Sequence, residues 1–187
     1  MRVIAGSSRG RRLAGFKGRN VRPTPDRVRE ALFSILQSKR GSFTGLSVLD
    51  LFAGSGALAI EALSRGAASA CLVEKAPDSI RIIRENLARC QLTDRAKLIT
   101  GDAWQVLQGL SGGAFDLVFI DPPYGQDLAA RALVEADRLQ LLKAAGILCA
   151  ETGVEEQLPD AVGRLQRFDQ RRYGTVMINF YSYAQEG

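Results

Sequence analysis

The chain has 187 residues, 46% of them hydrophobic, and a formal net charge of +5, a length that supports one substantial core and does not call for a second full-sized domain. It contains no histidine, and its three cysteines, Cys71, Cys90 and Cys149, form no CxxC pair; this argues against a disulfide framework, a metal site, and any Ser-His or Cys-His nucleophile. With no leader-like N-terminus and no apolar stretch near the ~20 residues that span a bilayer, the sequence reads as a soluble cytoplasmic protein without a membrane partner.

The charge is uneven along the chain. Residues 1–40 hold eleven Lys or Arg against Asp26 and Glu30, a net of +9, so the remainder nets −4. A polyanion would dock at the basic end; a merely solvated basic arm is the alternative. Residues 1–23 alternate short apolar pieces with Gly and Arg, as in Val3-Ile4-Ala5-Gly6 and Gly10-Arg11-Arg12-Leu13, and predict a small β-hairpin extension ahead of a main domain over 24–187.

Val28, Ala31, Leu32, Ile35 and Leu36 recur at helical spacing, so a helix is expected over Arg27–Leu36, capped by Thr24 or Asp26. Strands and helices then alternate. Strands are predicted at Leu46–Leu51, Ala70–Glu74, Ala96–Thr100, Phe115–Ile120 and Gly146–Glu151, and helices at Ala57–Arg65, Pro77–Cys90, Trp104–Leu110 and Ala129–Leu142. Two β-rich runs, Arg164–Arg172 and Thr175–Tyr183, separated by Tyr173-Gly174, read as a closing antiparallel hairpin. This rhythm predicts a Rossmann-like, doubly wound α/β fold with a mainly parallel sheet.

In Val48-Leu49-Asp50-Leu51-Phe52-Ala53-Gly54-Ser55-Gly56 a carboxylate near a strand end is followed by a Gly-rich turn that feeds a helix, where a nucleotide-like ligand can approach the backbone. Gly54, Gly56 and Ala59 also satisfy the dinucleotide pattern of an NAD enzyme. Asp50 favours a different ligand: a carboxylate would repel a pyrophosphate but attract the cationic amino group of S-adenosyl-L-methionine. Glu74 closes the second strand, where it can accept both ribose hydroxyls of either cofactor. Asp102, within Gly101-Asp102-Ala103 after the third strand, is placed to accept an adenine amino group or to serve simply as a helix N-cap.

Asp121-Pro122-Pro123-Tyr124 follows the fourth strand, and its two prolines stop regular structure at the carboxyl edge of the sheet. An aromatic amino nitrogen is a poor nucleophile because its lone pair is delocalised. The Asp121 carboxylate and the Pro122 carbonyl can each accept one of its N–H bonds and favour a pyramidal nitrogen, so that transfer rests on positioning and charge stabilisation rather than on a strong base. Tyr124 is placed either to stack on an extruded base or to fill core as an ordinary aromatic.

These motifs resemble the class I methyltransferases, at Asp50–Gly56, Glu74, Asp102 and Asp121–Tyr124. The string from Arg22 to Phe33, that from Val48 to Ala62, and the early Ile4-Ala5-Gly6 and Gly10–Leu13 pieces resemble more specifically the RsmD family of bacterial 16S ribosomal RNA guanine-N2 methyltransferases. The resemblance implies a seven-stranded sheet with the last strand antiparallel, an N-terminal hairpin extension, and methylation of guanine 966 in an assembled small ribosomal subunit by a monomer. It implies a cofactor set of Asp50, Phe52, Ala53, Gly54, Gly56, Glu74, Lys75, Asp102 and Ala103, with Thr24 near the methionine end of S-adenosyl-L-methionine and S-adenosyl-L-homocysteine as product. Arg9, Arg11, Arg12, Lys17, Arg19 and Arg22 would contact RNA phosphates, which position a substrate without specifying a base. Ala59 and Ser34 stand where the family often has Gly and Asn. The competing readings are an adenine-N6 or cytosine-N4 nucleic-acid methyltransferase, a nonenzymatic RNA-binding or ribosome assembly factor, and an NAD-binding oxidoreductase.

Overall fold

The computed structural model describes residues 1–16, 25–110 and 112–184, in two compact units, Met1–Ala103 and Trp104–Gly187. Among the described residues no helix is long and apolar enough to cross a membrane.

The first unit is built on three parallel strands, β1 (Ser47–Asp50), β2 (Ser69–Glu74) and β3 (Ala96–Thr100), with β2 between the other two. Helix α1 (Asp26–Arg40) precedes β1, α2 (Ala57–Ser64) joins β1 to β2, and α3 (Pro77–Cys90) with a single 3-10 turn at Thr93–Arg95 joins β2 to β3. Helix α1 buries Val28, Leu32, Phe33 and Leu36, the stripe that its period demands. It runs four residues past Leu36, its last turn is basic, and it stops at Gly41, whose φ of 75° lies in the left-handed region. Asp26 does not cap this helix. Pro25 takes the cap position without a side-chain bond, and Asp26 lies inside the first turn, paired with Arg29 at 3.0 Å. Thr24 lies outside the described residues.

The N-terminal arm is bound to this unit by buried polar side chains. An antiparallel bridge joins Arg2 to Arg12, and Val3 and Leu13 are buried. Glu61 on α2, only 1% exposed, accepts the backbone N–H groups of Ile4 at 2.8 Å and Ala5 at 3.0 Å. The Ser64 hydroxyl accepts from Ser8 N–H at 2.9 Å and donates to the Ala5 carbonyl at 2.6 Å. Gly6 sits at the closest approach, where a Cβ would lie 1.8 Å from the Ser64 carbonyl oxygen, so no larger residue fits without moving the arm. Arg29, one of the eleven basic residues of the first forty, is fully buried, with its guanidinium donating to the Arg2 carbonyl and to Asp26. Part of the N-terminal charge is therefore internal.

In the second unit the strand order is β4-β5-β8-β7-β6, with β4 Phe115–Ile120, β5 Leu142–Gly153, β6 Ala161–Val162, β7 Leu165–Tyr173 and β8 Val176–Tyr183. β4 and β5 are parallel; β8 runs antiparallel to both β5 and β7. The last strand is thus antiparallel, as expected, and the strand missing from the sequence reading is the two-residue β6. Every residue of β4 is buried, which fits an apolar run broken only by Asp116. The hairpin turn is Gly174-Thr175, one residue later than read, because Tyr173 pairs with Val176.

The other differences are at boundaries. Helix α4 covers Ala103–Leu107 and is shorter than expected. Helix α5 (Leu128–Arg138) ends four residues early: Gln140 turns into the left-handed region at φ 52°, and Leu141 and Leu142 are buried as entry to β5 rather than as a last helical turn. Lys143, on that early part of β5, pairs with Asp116 at 2.7 Å.

Candidate cofactor turn and amine-binding loop

The Gly-rich turn leaves β1 directly after Asp50. Gly54 and Gly56 have φ of 54° and 76°, which only glycine adopts without strain, and a Cβ on Gly56 would press on Leu72 Cδ2 at 3.2 Å. Both the backbone conformation and the space therefore require glycine at this helix start. Ala53 is buried and donates its N–H to the Val73 carbonyl at 3.0 Å, and Gly56 N–H reaches the Ala53 carbonyl at 2.6 Å. Phe52, half-buried, completes the turn.

Asp50 is 1% exposed. Its Oδ2 accepts the Ala59 N–H at 3.2 Å, whereas Oδ1 is buried without a hydrogen-bond partner. Burial pushes its pKa up to about 7; the bond from Ala59 opposes the shift, and the charge of Glu74 adds to it. A buried carboxylate oxygen with no donor is costly. A ligand carrying a cationic amino group supplies the missing donor and the opposite charge, which is the chemistry of the methionyl end of S-adenosyl-L-methionine.

Glu74 makes backbone bonds that its position in the sequence did not disclose. Its Oε2 accepts the Gly54 N–H at 2.9 Å, and Oε1 accepts those of Lys75 and Ala76, each at 2.8 Å. It ties the Gly-rich turn to the end of β2, and with three of about four lone-pair sites used it keeps acceptor capacity for one ligand hydroxyl. Glu74 pairs in register with Thr100 of β3, two residues before Asp102, so the sheet brings the two acids to one edge. Lys75 reaches Asp102 at 3.3 Å in an exposed pair, a contact that contributes little stability. Asp102 immediately precedes the first residue of α4, the buried Ala103.

Sequence reading missed Asn86. On α3 it falls within the apolar stripe of Ile82, Ile83, Leu87 and Cys90, and an amide in that stripe is the signal that marks a buried polar contact. It is fully buried; Oδ1 accepts Ala14 N–H at 2.7 Å, and Nδ2 donates to the Ala14 carbonyl at 3.1 Å and to the Ser55 carbonyl at 3.0 Å. One side chain thus holds both the N-terminal arm and the Gly-rich turn. Replacing Asn86 by Ala leaves three backbone groups without their partner, at roughly 1 kcal/mol or more each. The expected result is a lower melting temperature together with weaker S-adenosyl-L-homocysteine binding by calorimetry; a loss of stability with unchanged affinity would limit Asn86 to holding the arm.

Of the residues expected to meet RNA, Arg9, Arg11 and Arg12 are exposed. Arg11 is already engaged: its guanidinium donates to the Arg89 carbonyl and, at 3.3 Å, to Gln91 Oε1, at the C-terminal end of α3 where a cation is favoured. Lys17, Arg19 and Arg22 lie outside the described residues.

In the second unit, Asp121 and Pro122 follow β4 as half-buried and buried residues, and Pro123 and Tyr124 are exposed. Tyr124 is 41% exposed, so it is not a core aromatic. Its hydroxyl donates to Glu151 Oε1 at 2.5 Å, and Gly125 N–H reaches Glu156 Oε2 at 3.4 Å. The loop is thereby fastened to the end of β5 and the turn beyond it. Neither glutamate was singled out as a site residue from sequence, although Glu151 directly follows the apolar run 147–150. Among the described residues there is no group of three or more Cys, Asp or Glu able to hold a metal ion.

A buried strand-end acid before a Gly-rich turn, a second acid closing β2, and an Asp-Pro-Pro-Tyr loop after β4 define a class I S-adenosylmethionine-dependent methyltransferase. The chain belongs to the family described as Conserved hypothetical protein 95, whose model matches residues 1–182. It is 37% identical over 183 residues to YlbH of Bacillus subtilis, covering 97% of this chain and 98% of that protein. It is 32% identical over 187 residues to Ribosomal RNA small subunit methyltransferase D of Escherichia coli K12, covering 100% of this chain and 92% of that protein. The solved structure of yhhF from Escherichia coli superposes with a TM-score of 0.84 at 33% identity, over 98% of this chain and 97% of that one.

Proposed function

We propose that this protein transfers a methyl group from S-adenosyl-L-methionine to the exocyclic N2 of a guanine in 16S ribosomal RNA, guanine 966 in the usual numbering, acting as a monomer on the small ribosomal subunit in the bacterial cytoplasm. The observation that carries the reading is the Asp121-Pro122-Pro123-Tyr124 loop, braced at its aromatic end by Glu151. The ribosomal substrate is supported by the name of the Escherichia coli relative, a ribosomal RNA small subunit methyltransferase.

When bound, the cofactor supplies an electrophilic methyl group. In the first unit Asp50 holds its amino group, the backbone of Phe52, Ala53, Gly54 and Gly56 leaves room beside the turn, Glu74 and Lys75 take the ribose side, and Asp102 and Ala103 take the adenine side, with Thr24 near the methionine end. In the second unit the Asp121 carboxylate and the Pro122 carbonyl accept the two amino N–H bonds, Pro123 keeps the loop rigid, and Tyr124 stacks on the base. The positive charge that develops on nitrogen is stabilised by Asp121, and the proton is lost after transfer. The basic extension, residues 1–23, docks rRNA phosphates through Arg9, Arg11, Arg12, Lys17, Arg19 and Arg22.

The test is transfer of labelled methyl to undermethylated small subunits, naked 16S RNA and duplex DNA, followed by nucleoside analysis. N2-methylguanosine on ribosomal material is expected. N6-methyladenine or N4-methylcytosine would retain the loop chemistry and replace the substrate, and absence of transfer would leave an RNA-binding factor.

A further inference from the structure

We infer that Glu151 is a positioning residue for methyl transfer, fixing the ring plane of Tyr124 before a base arrives; the inference rests on the stacking role proposed for Tyr124. An exposed tyrosine after a turn normally samples several rotamers, and a base stacked on a misdirected ring is out of line for attack. Here a hydrogen bond fixes it in advance. The hydroxyl donates to Glu151 Oε1 at 2.5 Å, at the short end of the range for such a bond. The ring stands beside Gly153, where even an added Cβ would come only to ordinary van der Waals distance, 3.6 Å, of Tyr124 Cδ2, so a small residue leaves room for it. Glu151 is itself held: it is 7% exposed and pairs with Ile178 of β8 inside the antiparallel ladder. Glu156 then secures the next residue through Gly125 N–H. The β5–β8 ladder thus sets the plane on which a base stacks, and Glu151 acts through Tyr124 without touching substrate.

Such a tether changes orientation more than contact area, so its loss should fall on kcat rather than on KM. The experiment measures kcat and KM for methyl transfer to undermethylated small subunits with the full chain and its variants. Tyr124→Phe keeps the ring and removes only the hydroxyl. It is expected to lower kcat about tenfold, with KM within about twofold and S-adenosyl-L-homocysteine affinity unchanged. Glu151→Ala is expected to match it, the double variant to be no slower than either single one, and Glu151→Gln, whose amide oxygen still accepts, to restore most of the rate. Should Glu151→Ala fail to fold, Tyr124→Phe and Glu151→Gln still decide the matter. Wild-type rates for Tyr124→Phe, or losses that multiply in the double variant, would overturn the tether while leaving the methyltransferase reading intact. A wild-type protein that methylates none of the substrates would overturn both.

Discussion

Asp50→Asn is expected to make the ligand-free protein more stable at pH 8 while raising its dissociation constant for S-adenosyl-L-homocysteine on the order of a hundredfold, the scale of removing one partner of a buried charge pair. The two effects share one cause. Burial raises the Asp50 pKa to about 7 in the fold, whereas the unfolded chain releases that proton near pH ~4. Between those values the folded state holds a proton that the unfolded state does not, so raising the pH across this window lowers stability. Above pH about 7 both states are ionised and the loss is complete, on the order of 4 kcal/mol. Asparagine has no charge to desolvate, so the variant escapes this loss. Melting temperatures from pH 5 to 8 should show wild type falling relative to the variant and the gap levelling off above pH about 7. The same linkage reverses for binding: the ammonium needs the ionised carboxylate, so wild-type affinity should rise from pH 5.5 to about 7, below the range where an α-amino group itself titrates, and the variant should show no such rise. A variant that binds as tightly as wild type would remove Asp50 from the cofactor site.

The candidate-site residues whose placement was legible in the sequence are those whose geometry is local. Gly54 and Gly56 are dictated by a backbone conformation, Asp50 and Glu74 by their places at strand ends, and the two prolines after Ile120 by an interruption of regular structure. Strands β3 and β4 and helix α3 were placed to the residue: Gly101 follows β3, Asp121-Pro122 follows β4, and Pro77 opens α3. The end of α5 was not, since Leu139-Gln140-Leu141-Leu142 has good helical propensity and only tertiary burial of the two last leucines turns the chain into β5. Partnerships across long sequence separations were hidden for a related reason. Asn86 meets Ala14 and Ser55, and Glu61 meets Ile4 and Ala5, and nothing in the spacing of one chain names such pairs. The count of basic residues at the N-terminus misled in part, because it treats Arg29, which is buried, as equal to Arg9, which is exposed.

Asp121→Asn should lower kcat by about 10²–10³ while leaving the cofactor dissociation constant and the KM for small subunits near their wild-type values. The substitution keeps the shape of the side chain and one acceptor oxygen but removes the negative charge. In the ground state that charge meets a neutral amino group, so its loss costs little binding; as the nitrogen becomes cationic in the transition state the same charge becomes strongly stabilising, and an interaction made mainly there appears in kcat. Asparagine also introduces an N–H donor that cannot bond to an amino hydrogen, so the pyramidal geometry is held by the Pro122 carbonyl with less help. Steady-state kinetics with labelled cofactor, alongside calorimetry for S-adenosyl-L-homocysteine, separates these quantities. A fall of less than about tenfold, the equivalent of 1.4 kcal/mol in barrier height, would mean that Asp121 does not face the developing charge, and the acceptor role would have to be reassigned to backbone carbonyls of the loop. A loss confined to KM would instead make Asp121 a docking residue, engaged equally before and during transfer.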